Sequence, residues 1–134
     1  MTGKSELGGR RARARVLAYA SSGGDPHASL LAGITAMHRV LEQAGLKLDQ
    51  MDRIEFMESF AVTMAIFLRD HAVDLDKVIV AGGHMAKGHP MGASGAILLS
   101  SLLDNLDQCG GRLGLVVCTG AGGVGAAMID ERAS

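Results

Sequence analysis

Two short stretches hold the residues best suited to chemistry. His89 sits between Gly88 and Pro90 in AKGHPMGASG (86–95), and Cys118 opens CTGAGGVG (118–125). An imidazole moves protons near neutral pH, and a thiol serves as nucleophile or acid. A histidine and a cysteine on neighbouring strand-end loops are parts of an acyl-transfer site, and glycine N–H groups can face a developing oxyanion. Plainer readings exist for the same residues. His89 also reads as a structural histidine bonding a loop carbonyl, and Cys118 as a small buried core residue. Glycine at this density brings backbone close either to a ligand or to another segment of chain. Spacing alone leaves each pair of readings open.

Two other chemistries fail on context. Gly120, Gly122 and Gly125 match G-x-G-x-x-G after a strand. A dinucleotide turn needs a helix N-terminus under the pyrophosphate, and the segment that follows, VGAAMID, reads as a strand. A zinc site from His84, His89, Cys109 and Cys118 lacks finger or ribbon spacing, and the sequence has no C-x-x-C. No residue is assigned to a metal, and the two cysteines are expected to be free thiols.

The elements that must position these loops alternate in period. RVLAYAS (15–21) is a short apolar strand ending in Ser-Ser-Gly-Gly. Asp25-Pro26 signals a helix start, Leu30, Ile34, Met37, Leu41 and Ala44 form one helical stripe, and Gly45 stops it. DRIEFMES puts Ile54 and Phe56 on one face of a strand; Phe60, Met64, Phe67 and Leu68 restore helical spacing. KVIVAG (77–82) is a third strand candidate leading to the His89 loop. SGAILLSSLLDNL is helical, with Leu98, Leu99, Leu102, Leu103 and Leu106 inward, and RLGLVVCT and VGAAMID are two strands too close for a crossover helix. The expected fold is α/β, ordered β-α-β-α-β-α-β-β: a mixed, mainly parallel five-stranded sheet covered by helices.

At 134 residues the chain is one domain by length, with a flexible basic lead-in over 1–12 and the domain proper over 13–134. Lys4, Arg10, Arg11, Arg13 and Arg15 are basic, yet no aromatic interleaves them to stack on bases, and the net charge is -1. That balance argues against nucleic acid and anionic membrane as partners. No apolar run of signal or membrane-spanning kind is present, so the expected compartment is the cytoplasm.

At this point the motifs become recognisable. GGHMAKGHPMGASGA closely resembles the Gly-His-Pro-x-Gly-Ala-Ser-Gly motif of thiolases. CTGAGGVGAAMI resembles their Cys-x-Gly-Gly/Ala-Gly motif, and IEFMESFA, preceded by DRIE, falls where they carry Asn-Glu-Ala-Phe. The similarity runs from about Arg13 to the C-terminus and implies half of a thiolase fold, the C-terminal domain. In that family a twin N-terminal domain carries the nucleophilic cysteine, and an inserted loop region binds coenzyme A; neither is matched here. The resemblance implies that His89 activates that nucleophile and helps bind the thioester oxygen, that Cys118 is the acid/base, and that Gly120 offers an oxyanion N–H. Acyl-CoA thioesters would be substrates, with no permanently bound cofactor, and the partner would be an N-terminal domain or subunit in a homo- or hetero-oligomer. Alternatively, the chain is a non-catalytic thiolase-fold module that binds or scaffolds. One position departs: Met57 stands where the family carries Asn, or His in some branches, and a thioether cannot donate. Glu58 and Phe60 keep the pattern. His89 and Cys118 are expected to meet at one end of the sheet, with the Gly120 N–H facing the same cleft.

Overall fold

The computed structural model describes residues 11–133. Two strands near the C-terminus, β3 (Leu113–Gly120) and β4 (Val124–Arg132), form an antiparallel hairpin in which Cys118 pairs with Ala126. β1 (Ala14–Gly23) lies antiparallel to the outer edge of β4, and β2 (Arg53–Phe56) lies parallel to β3. The sheet order is therefore β1-β4-β3-β2.

Alternation along β3 divides the molecule into layers. Leu113, Leu115 and Val117 join Ile54, Phe56, Ala127 and Ile129 in one core. Covering that face are α1 (Ala32–Ala44), through Met37, Val40 and Leu41, and α2 (Ala61–Asp70), through Phe67. Gly45 ends α1 in the left-handed conformation at φ 64°, as the sequence signalled. On the other face, Val116 and Cys118 pack with Met57 against Leu98, Leu102 and Leu106 of α4 (Ser94–Cys109). A four-residue helix, α3 (His84–Lys87), precedes α4.

The α/β class and mixed sheet stand, but the sheet has four strands and two of its three pairings are antiparallel. The expected strand at 77–82 is the one that fails. Asp74 caps a 3-10 turn over Leu75–Lys77, and only Val78 bridges to Ile54. Ile79 then takes φ 50°, a conformation that strands do not contain and β-branched residues rarely adopt. Val78, Ile79 and Val80 have strand composition, but the chain turns away after one bridge. Phe60, the first of the residues read at helical spacing, is the N-cap of α2 and is exposed. Of the basic lead-in over 1–12, residues 1–10 lie outside the described residues.

Candidate active site

Both candidate residues face the first turn of α4. Ser94 is fully buried, and its Oγ lies 2.8 Å from His89 Nδ1 and 3.2 Å from the Pro90 carbonyl. A carbonyl can only accept, so the hydroxyl proton is committed to Pro90 and His89 Nδ1–H donates to Ser94 Oγ. In the neutral imidazole the basic nitrogen is then Nε2. One residue further along α4, a methyl group on Gly95 would stand 3.7 Å from Cys118 Sγ, so the thiol faces the first turn of the helix. His89 and Cys118 thus face consecutive residues of one helix, Ser94 and Gly95. Burial pushes the Cys118 thiol up, which holds it protonated.

The route to this placement differs from the expected one. His89 does not leave the end of a parallel strand; it is delivered by the loop after α3, whose last residue is followed by Gly88. Glu58 anchors that loop. Its Oε2 accepts the Met85 N–H at 3.2 Å, and the backbone at Gly83 comes so close to the same carboxylate that a side chain there would overlap it. His84, buried beneath, meets His89 edge to face with ring centroids 5.0 Å apart. Neither ring nitrogen of His84 has a hydrogen-bond partner among the described residues. Burial, followed by the neighbouring His89, lowers its pKa and favours the neutral ring.

Met57 sits on the Cys118 side of the sheet. Its Sδ accepts the Thr119 N–H at 3.4 Å, and its side chain is buried in the core with Val116 and Leu98. Gly120 closes β3 opposite Val124, two residues past the thiol. An open apolar groove of about 220 Å³ runs from Cys118 past Leu99, Val116 and Met128 to Tyr19. The glycines of this loop are not all turned to a ligand: a side chain on Gly125 would overlap the Ala32 backbone where α1 begins. There the sequence brings chain against chain.

The quartet weighed for zinc is dispersed. Cys109 ends α4, whereas Cys118 and His89 lie at its start, roughly 20 Å away at 1.5 Å per residue. Both thiols are free. Ser94 is the residue that sequence reasoning passed over; the signal was its place at the head of a helix five residues after His89. None of the helices among the described residues is long and apolar enough to cross a membrane.

A family model described as "Thiolase, C-terminal domain" matches residues 10–132. An acetyl-CoA acetyltransferase of Syntrophomonas wolfei is 41% identical over 130 residues, which is 96% of this chain and 33% of that protein. A beta-ketoadipyl-CoA thiolase of Acinetobacter baylyi is 42% identical over 125 residues, 91% of this chain and 31% of its own length. For an acetyl-CoA acetyltransferase of Escherichia coli the figures are 40% over 119 residues, 89% and 30%. The chain spans about a third of the length of the curated relatives it matches.

Proposed function

Because this chain belongs to the thiolase family, as a C-terminal domain, we propose that it supplies the proton-transfer half of a reversible Claisen condensation between acyl-CoA thioesters. The placement of His89 and Cys118 facing the first turn of α4 carries the reading. An N-terminal half with the nucleophilic cysteine completes the site, as a separate subunit or as the rest of a longer polypeptide. His89 Nε2 takes the proton from that cysteine and afterwards donates a hydrogen bond to the thioester oxygen. Cys118 removes the α-proton of the acyl acceptor in synthesis and returns it to the enolate in cleavage. Its raised pKa favours the thiol at rest, the form that cleavage uses. The Gly120 N–H serves the second oxyanion, and the apolar groove beside Cys118 receives the partner half. The cytoplasm is the setting this chemistry fits.

The test is to isolate the native complex, determine its mass, and assay acetoacetyl-CoA cleavage with coenzyme A. A second, cysteine-bearing half and turnover abolished by His89→Ala and Cys118→Ala are expected. Turnover that survives either substitution overturns the assignment, and turnover by the pure 134-residue chain overturns the need for a partner.

Met57 favours a second reading, a non-catalytic thiolase-fold binding or scaffolding module. With its sulfur engaged by Thr119 N–H inside the core, this position offers no donor to a substrate oxygen or water. A complex that assembles but stays inactive, and gains turnover on Met57→Asn, would decide for it.

A further inference from the structure

The layer of α1 and α2, across the sheet from Cys118, holds a second pair of histidines. His38 on α1 and His71 at the C-terminal end of α2 lie 33 residues apart in sequence, and their Nε2 atoms stand 3.2 Å apart. His38 is exposed and His71 half-buried. We infer that His38 and His71 form a two-imidazole site for a borderline divalent transition-metal ion, with water completing its coordination.

The spacing is what such an ion requires. Imidazole nitrogens bind Zn²⁺ at about 2.0–2.1 Å, so nitrogens at this separation subtend an angle of about 100° at the metal, between octahedral and tetrahedral values. The support behind one ligand is also of the right kind. His71 Nδ1 lies 2.9 Å from the Phe67 carbonyl, and its ring stacks on Phe67 at a centroid distance of 5.2 Å. The carbonyl only accepts, so Nδ1 carries the proton and Nε2 presents its lone pair outward. A metal-bound histidine characteristically has its far N–H fixed in this way.

The proton balance closes. Without metal, His38 Nε2–H donates to the His71 Nε2 lone pair. On binding, His38 gives up that proton and takes one at Nδ1 from solvent, so two neutral rings bind the ion with no net proton release. Among the described residues no group of three or more His, Cys, Asp or Glu side chains gathers in a way that could hold a metal, which is why water must fill the remaining positions. Imidazole donors suit zinc, nickel and copper, and the ion would tie α1 to the end of α2 in the folded state alone.

Ni²⁺ alone, titrated into the untagged 134-residue chain at pH 7.5, is the probe. Calorimetry should show one ion per chain, and excess Ni²⁺ should raise the melting temperature. Affinity should fall at least tenfold in His38→Ala, a surface change that leaves the fold intact. His71→Phe keeps a ring on Phe67 while removing the lone pair, and it should fall equally. Absence of binding at millimolar Ni²⁺, or binding unchanged in either variant, overturns the site. The proposal does not rest on the thiolase reading, because neither histidine belongs to the His89–Cys118 site.

Discussion

Ser94 Oγ stands 2.8 Å from His89 Nδ1 and at the same time donates to the Pro90 carbonyl, so one buried hydroxyl fixes both the ring orientation and the tautomer of His89. The Cys118 thiol faces the next residue of the same helix, where a methyl group on Gly95 would stand 3.7 Å from Sγ. A shift of the first turn of α4 would therefore move the imidazole relative to the thiol, which β3 holds. The helix fixes the imidazole, and β3 fixes the thiol.

Ser94→Ala should thus impair turnover without dismantling the domain. Losing one buried hydrogen bond costs about 1–3 kcal/mol, which as lost transition-state stabilisation is about a 5- to 160-fold drop in kcat. KM should change little, because Ser94 touches the imidazole rather than the substrate. Steady-state cleavage of acetoacetyl-CoA by the complete enzyme measures both. An unchanged kcat would mean that His89 does not depend on Ser94.

The two thiols should differ in reactivity. Cys109 is exposed at the end of α4, whereas Cys118 is half-buried and its pKa is pushed up by burial. The thiolate is the reacting species, so at pH 7.5 a disulfide reagent should titrate one fast thiol and one slow one. Cys109→Ser should remove the fast phase. A fast phase that persists would show Cys118 to be open and activated, contrary to an acid held in reserve.

The candidate residues His89 and Cys118 stood out in the sequence because they lie inside contiguous motifs with glycines at fixed places. What was not legible depends on long-range contacts. The run at 78–80 has the β-branched composition of a strand, yet a single bridge to Ile54 and the positive φ of Ile79 end it. Nothing local in β1 tells that it pairs with β4 rather than with a nearer element, so the antiparallel majority went unseen. The hairpin of β3 and β4 was read correctly, since its signal, two apolar runs around a glycine turn, is local. Ser94 was within a quoted motif, but its role appears only when the helix start and the His89 loop are brought together.

Stability should fall as pH rises from about 4.5 to about 7. Glu55 is buried under α4, with Asn105 donating to Oε1 at 2.9 Å and Oε2 left without a partner among the described residues. Burial above all pushes its pKa up to about 7, and Asn105 opposes this only in part. The folded-state value lies above the unfolded one. The neutral carboxyl is therefore accommodated at low pH, and the penalty grows from about pH 4.5 to a plateau above pH 7, at about 3 kcal/mol. Asp130, raised to about 6 by burial, adds a penalty of the same sign. Glu55→Gln keeps the acceptor for Asn105 and removes the charge, so urea unfolding should find it more stable than wild type at pH 8 and nearly equal at pH 4.5. A variant less stable at pH 8 would mean that the ionised carboxylate is well solvated or paired.

The isolated domain should self-associate through the face that α4 leaves open. α4 covers the β2 and β3 side of the sheet, so the groove beside it is bordered by Tyr19 of β1 and by Ala126 and Met128 of β4. Tyr19 is 60% exposed although it lies in a strand, and Val124 at the hairpin end is 61% exposed. Contiguous apolar surface of this kind marks an interface or an aggregation hazard. Tyr19→Lys places a charge on that surface without touching the two cores. It should convert the pure chain from associated species to monomer in sedimentation velocity, with little change in melting temperature. In the complete enzyme the same substitution should weaken assembly with the N-terminal half, because that half and self-association compete for one surface. If the wild-type chain sediments as a clean monomer at high concentration, the open face is adequately solvated and this basis for a docked partner is lost.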